Sequence, residues 1–228
     1  MSEVRAVLWD MDGTLIDSEE FHWISWRDTM DKEGIPITHE QFLATFGQRN
    51  DSILQQWLGP AASAERIERI GSAKELRYRE LVRRHGMKPL PGVASWLRRL
   101  HETGWFQAIG SAAPRENIEV VLEALSATEY FQAIVSAEDV HHGKPDPEVY
   151  LVAASRLGAS PESSIVVEDA VAGVEAARNA GMRSIGVSRK GNLLPADIVV
   201  QSLEQLDANA FEALLNSSPS QIGVEEQK

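Results

Sequence analysis

Apolar residues in this chain follow two regimes. From Val4 to Trp9 they run almost without interruption, as expected for a short buried strand. Beyond Asp17-Ser18 the period becomes helical. Ser18-Glu19-Glu20 resembles an N-cap followed by first-turn acids, and Phe21, Ile24, Trp26 and Met30 form an apolar stripe until Gly34 stops it. Thr38 opens a second predicted helix containing Phe42 and Leu43. Asp51 is expected to cap a third, through Ile53, Leu54, Trp57 and Leu58, closed by Gly59-Pro60. A longer fourth helix is predicted from about Ala62 to Arg84, so residues 17–86 read as all-helical.

After Pro89-Leu90-Pro91-Gly92 helix and strand alternate. Helices are predicted over 93–102, 115–125, 147–157, 171–180 and 203–215, and strands over 106–109, 133–135, 164–167, 184–187 and 198–200. Such alternation implies an α/β fold, a Rossmann-like parallel sheet with helices on both faces. The first strand belongs to that sheet, so the all-helical segment is a small cap domain inserted after it. The expected division is a core of residues 1–16 and 87–216, a cap of 17–86 and a disordered polar tail of 217–228. Ligands bind outside the C-terminal ends of the strands in open parallel sheets, and the insertion leaves from that side, like a lid.

Composition narrows the function classes. At 228 residues, with 43% hydrophobic and 25% charged residues, the chain can bury a core without disulfides. The absence of cysteine excludes disulfides, thiolate metal sites and cysteine nucleophiles, and suits a reducing compartment. A net charge of −12 argues against nucleic acid or an anionic membrane as partner. The N-terminal stretch is broken by Asp10 too early for a signal peptide, and no run reaches the ~18 apolar residues of a membrane span. A cytoplasmic protein is expected.

Asp10-Met11-Asp12-Gly13-Thr14 carries the chemistry. Two carboxylates one residue apart, at the end of a buried strand, repel each other and call for a metal ion. One could then act as nucleophile and the other as proton carrier. Taken alone, the segment reads equally well as an Asp-Gly hairpin turn. Ser111, Lys144 in Gly143-Lys144-Pro145-Asp146-Pro147, and Glu168-Asp169 each follow a predicted core strand or precede a core helix. Individually they have bland readings: a helix-approach serine, a solvated turn lysine, an N-cap. Together they place every strongly polar interruption at one edge of one sheet, and the functional reading prevails.

These residues resemble, in order, the four motifs of the haloacid dehalogenase superfamily, and the match extends from about Val4 to Val200. The helical insertion, Leu90-Pro91-Gly92 on re-entry and Gly143-Lys144-Pro145 are similar to the β-phosphoglucomutase-like subgroup. The resemblance implies that Asp10 attacks phosphorus and that Asp12 protonates the leaving oxygen, then deprotonates water. It implies that Thr14 orders the loop and that Ser111, with its neighbour Ala112, and Lys144 bind the phosphoryl group. Mg²⁺ would be held by Asp10, the Asp12 carbonyl and Asp169, with Glu168 in support. Asp12 favours phosphate esters, because members that cleave other bonds carry another residue type there.

Within the subgroup, Glu20-Phe21-His22 resembles the segment in which a mutase histidine helps hold the sugar, which makes His22 a candidate substrate ligand. Gly47-Gln48-Arg49-Asn50-Asp51 is similar to, but one residue shorter than, the mutase loop whose arginine grips a distal phosphate, a role that would fall to Arg49. Ala113 and Arg115 stand where mutases tend to have serine and asparagine. Lys74, Arg77, Arg79, Arg83 and Arg84 read as a solvated basic face paired with Glu75 and Glu80, from which Lys74 or Arg77 could reach the cleft. No metal is assigned to His141-His142, and the six tryptophans are read as packing. The favoured function is a Mg²⁺-dependent phosphatase of small phosphorylated metabolites, chiefly sugar phosphates, working through an aspartyl phosphate as a monomer or weak homodimer. A β-phosphoglucomutase-type phosphomutase is the alternative within enzymes, and a non-catalytic binding protein on the same fold the remote one.

Overall fold

In the computed structural model, which describes residues 4–189 and 191–217, Ala6–Trp9 form strand β1 at the centre of a parallel sheet. β2 (Phe106–Gly110) and β4 (Ser164–Glu168) flank it in register, with Trp9 opposite both Ile109 and Val167. β3 (Ala133–Val135) extends the β2 side, and β5 (Arg183–Val187) and β6 (Ile198–Val200) extend the β4 side. The order β3-β2-β1-β4-β5-β6 places a topological switch between β1 and β4. Every strand pairing of this sheet is parallel. Among the described residues β1 has no antiparallel partner after Asp12-Gly13, which is therefore no hairpin turn between sheet strands.

Alternation along the strands serves two apolar layers. Val7, Trp9, Ile109, Ile165 and Val167 face α5 (Val93–Glu102), α6 (Arg115–Leu125) and α9 (Ala210–Asn216). Ala6, Leu8, Ala108 and Val166 face α7 (Glu148–Leu157) and α8 (Val171–Asn179). The predicted helix over 203–215 is corrected: residues 203–205 form a single 3₁₀ turn, and α9 starts only at Ala210. Ser202 caps the start of that turn, and Leu206, with extended backbone (φ −75°, ψ 133°), ends it before α9.

Four helices lie between β1 and α5: α1 (Glu19–Lys32), α2 (His39–Thr45), α3 (Asn50–Leu58) and α4 (Ala64–His85). They enclose an apolar cluster of their own, built from Trp26, Met30, Phe42, Ile53, Leu54 and Ile70. Thr38 caps α2 in a reciprocal box with Gln41. The expected cap of α3 is displaced: Arg49 holds the N-cap position and Asp51 sits inside the first turn. The chain's exit into this insert and its return lie side by side, since Ile16 bridges Pro89 and the Leu90 N–H donates to the Leu15 carbonyl at 2.8 Å. Among the described residues no helix is long and apolar enough to cross a membrane. The expected tail falls, beyond Ser217, outside the described residues.

Gly92, just after the return, has φ 86°, and a Cβ there would stand 2.7 Å from the Glu204 nitrogen. Gly104 has φ 78° but open space around it. Gly104→Ala therefore carries the left-handed penalty alone, about 1–2 kcal/mol, whereas Gly92→Ala also displaces backbone. Urea denaturation should show a clearly lower midpoint for Gly92→Ala, and equal midpoints would contradict this packing.

Candidate active site

Asp10 continues the β1 ladder by donating its N–H to the Val167 carbonyl at 3.0 Å, so β4 fixes its backbone. Its carboxylate is buried, and Lys144 Nζ donates to Oδ1 at 2.6 Å. Lys144 comes from the turn before α7, where its bond to Pro145 is cis. The same ammonium lies 2.7 Å from Glu168 Oε1 and 4.9 Å from the centre of the Tyr150 ring. Glu168 ends β4 and is fully engaged. Oε1 also accepts the Tyr150 hydroxyl at 3.1 Å, and Oε2 accepts the Asp169 and Ala170 N–H groups at 2.8 Å each. A Cβ at position 173 would lie 1.7 Å from Glu168 Oε1, so the residue one turn into α8 must be glycine.

The turn after β1 brings Asp169 into the group. Gly13 has φ 91°, and a Cβ there would stand 2.0 Å from Asp169 Oδ2. Thr14 Oγ1 lies 3.5 Å from Asp169 Oδ1, a weak contact at most. One ligand oxygen from each of Asp10, Glu168 and Asp169 lies within 4.8 Å of the others. Burial, opposed by Lys144 and reinforced by Glu168 and Asp169, pushes the Asp10 carboxyl well above the usual range. Burial and Glu168 raise Asp169 to about 7. Lys144 is held firmly protonated: its carboxylate partners outweigh the burial that opposes its charge. One ammonium among two buried carboxylates and a half-buried one leaves excess negative charge, and all donors are hard oxygens. That set fits a small divalent cation.

Asp12 faces the insert instead. Ser18 at the start of α1 donates its hydroxyl to Asp12 Oδ1, and His22 Nε2 stands 3.5 Å from the same oxygen. Lys74 Nζ of α4 lies 2.9 Å from His22 Nδ1. An ammonium can only donate, so Nδ1 accepts, and a neutral ring carries its proton on Nε2, toward Asp12. Tyr78 stacks on the imidazole with centroids 4.3 Å apart. Burial would raise the Asp12 carboxyl, but His22, Ser18 and the Lys74 charge outweigh it and hold it below its ordinary value.

The remaining candidates are placed less centrally. Ser111 follows β2 at the same sheet edge, buried, with its hydroxyl accepting the Ala113 N–H at 3.1 Å; Ala112 beside it is exposed. Arg49 is exposed, pairs with Asp51 at 3.4 Å, and lines a second cavity with His141, His142, Pro145 and Asn179. Arg115 turns away to Asp139 at 2.7 Å. Arg77 binds Asp28 and Glu80, as a solvated face requires. The basic face is not uniform, however: the Lys74–Glu75 pair is buried. Position signalled this, because Ile70, Lys74, Tyr78 and Val82 share one helical stripe. Ser18 gave no signal beyond its cap position, and its hydroxyl goes to Asp12 rather than to the helix.

A cavity of about 160 Å³ between insert and sheet edge is lined by Gly13, Ser18, Phe46, Asp169, Ser188 and Arg189 among others. Asp10, Asp12, Ser111 and Lys144 are not among the residues that line it.

Residues 7–187 match the family model described as haloacid dehalogenase-like hydrolase. The chain is 31% identical to β-phosphoglucomutase of Bacillus subtilis (strain 168) over 210 residues, covering 89% of this chain and 92% of that one. It is 34% identical to hexitol phosphatase B of Escherichia coli (strain K12) over 218 residues, 90% of this chain and 96% of the relative. The crystal structure of β-phosphoglucomutase from Clostridium difficile superimposes with a TM-score of 0.82 at 29% identity, covering 93% of this chain and 97% of that one. The chain belongs to the haloacid dehalogenase-like hydrolases.

The raised Asp169 carboxyl sets a pH dependence. A folded carboxyl of higher pKa binds its proton more tightly than the unfolded one, so its ionisation removes stability as pH rises from 3.8 through about 7. In chelator, Asp169→Asn should gain stability relative to the wild type across that window. Parallel stability–pH curves from chemical denaturation would contradict the crowding of charge described here.

Proposed function

We propose that this haloacid dehalogenase-like hydrolase is a Mg²⁺-dependent phosphatase of small phosphorylated sugars or polyols, with Asp10 as nucleophile and the helical insert as its cap. The observation that carries this reading is the Lys144 ammonium held between Asp10 and Glu168, beside Asp169, at the switch point of the sheet. Asp10, Asp169 and the Asp12 carbonyl would hold Mg²⁺. Glu168, whose oxygens are all engaged, supports Lys144 and the loop rather than supplying a free ligand atom. When bound, the ion neutralises carboxylate and phosphoryl oxygens so that two anions can meet.

The residues then divide the work. Lys144 fixes Asp10 Oδ1 and leaves the other oxygen to attack phosphorus. The ester P–O bond breaks as the Asp10–phosphorus bond forms, and Asp12 gives a proton to the departing oxygen. Water then attacks phosphorus, Asp12 takes its proton, and phosphate leaves Asp10. Asp12 is ionised in the resting site. A phosphate dianion beside it adds like charge and favours the proton uptake that the first step needs. Ser111 and Lys144 suit the phosphoryl oxygens, and the insert keeps bulk water from the phosphoenzyme.

A phosphomutase is the second reading, favoured by His22 standing against Asp12 and by the likeness to β-phosphoglucomutase. It ranks lower because Arg49, the candidate for a distal phosphate, pairs with Asp51 beside another cavity. A non-catalytic role ranks last, since competent groups fill every motif position. The deciding assay is phosphate release from p-nitrophenyl phosphate and a sugar-phosphate panel, with β-glucose 1-phosphate and a bisphosphate primer run in parallel. Release should require Mg²⁺, stop with EDTA, and fall by at least about 10³-fold in Asp10→Asn. Primer-dependent isomerisation outrunning release would establish the mutase instead, and inactivity on every ester would refute both.

A further inference from the structure

The seam between insert and core converges on a carboxylate outside the reacting groups. Glu75 of α4 is 7% exposed. Its Oε1 accepts from Asn50 Nδ2 of α3 at 2.6 Å and from Lys74 Nζ at 2.9 Å. Its Oε2 accepts from Asn117 Nδ2 of α6 at 2.6 Å. Arg79 donates to Asn117 Oδ1 at 3.0 Å, which fixes the orientation of that amide, and also pairs with Glu116 at 2.9 Å. Asn117 is 1% exposed and Lys74 3%, so water competes little for these bonds. α6 covers the sheet, whereas α3 and α4 belong to the insert. One buried carboxylate therefore ties the two layers together.

We propose that Glu75 is a positioning residue that couples the seating of the insert on α6 to the orientation of Asp12. The contacts run from Asn117 through Glu75 and Lys74 to His22 at 2.6–2.9 Å, and His22 Nε2 faces Asp12 at 3.5 Å, the longest step. Glu75 holds the ammonium of Lys74, the ammonium makes Nδ1 of His22 an acceptor, and the ring then turns its Nε2–H toward Asp12. If the insert lifts from α6, Glu75 keeps Asn50 and Lys74, which move with it, but loses Asn117 and with it the bond that fixes the carboxylate against the core. His22 is drawn from Asp12 in the same movement. Asp12 is then no longer held for proton transfer. Proton transfer would thus be competent only with the cap seated.

This rests on Asp12 being the proton carrier proposed above, and the test separates the two. A sugar-phosphate ester needs its leaving alkoxide protonated, whereas p-nitrophenolate leaves without a proton. The ratio of kcat/KM on the two esters, at saturating Mg²⁺, therefore reports the orientation of Asp12. Glu75→Gln and Asn117→Asp should each lower kcat/KM on the best sugar ester by about 10-fold or more, with p-nitrophenyl phosphate nearly unaffected. The first sets two amide donors against each other, and the second sets two carboxylates together. The double variant restores a donor–acceptor pair with the same net charge, and should recover the sugar-ester rate over either single change. Asn117→Ala, which deletes the donor without adding charge, replaces Asn117→Asp if the latter fails to fold. Equal losses on both esters, no loss, or a double variant no better than the poorer single one would overturn the coupling. A wild type that hydrolyses neither ester would instead refute the phosphatase reading.

Discussion

A single ammonium group organises the polar edge of this molecule. Lys144 Nζ sits within 2.7 Å of carboxylates that end two different strands, in a space from which bulk water is largely excluded. Buried carboxylates at such spacing repel by several kcal/mol even at an effective dielectric of about 20, so they coexist only around positive charge. Much of the local sequence makes room for that cluster. Gly13 and Gly173 are places where any side chain would strike Asp169 or Glu168, and Tyr150 both donates to Glu168 and presents its ring to the lysine. The strand order completes the arrangement, because the chain reverses direction across the sheet at β1 and β4, opening the crevice where these ends meet.

The cluster supplies more negative charge than Lys144 neutralises, which is why burial and mutual repulsion drive Asp10 and Asp169 upward while Asp12, two residues away, moves down. The two environments lie back to back. Asp10 looks into the sheet edge, and Asp12 looks toward Ser18 and His22 of the insert. Two acids on one turn are thus given different partners and different proton affinities, the usual physical basis for dividing nucleophile from acid–base. The insert is consequently part of the site's electrostatics as well as its roof.

Legibility in the sequence followed the strength of the local signal. Strand ends bearing Asp10, Ser111 and Glu168-Asp169 were readable because buried apolar runs break sharply at them. The alternation after Pro89 led to the parallel sheet, and the 17–86 stretch to an all-helical insert. What escaped depended on tertiary neighbours. Lys74 lies on the apolar stripe of its helix, but Glu75 reads as one more solvated charge, and nothing local states that α6 will bring Asn117 against it. Ser18 has the spacing of a cap, yet Asp12 competes for its hydroxyl and wins. The predicted last helix is broken where Leu206 turns extended, a backbone change that apolar periodicity does not register. Arg49 shows the converse: its likeness to a phosphate-gripping loop is a matter of spacing, and here its guanidinium pairs with Asp51 instead.

The central claim is that Asp10, Asp12 and Asp169 share one cation beneath the insert. Crystals grown with Mn²⁺ in place of Mg²⁺, with data collected at the manganese absorption edge, locate the ion directly. The account predicts one strong anomalous peak between the Asp10 and Asp169 carboxylates and the Asp12 carbonyl, with Lys144 still on Asp10. No peak there, or a peak confined to His142 and Glu148 on the far side of the Lys144 turn, would contradict it.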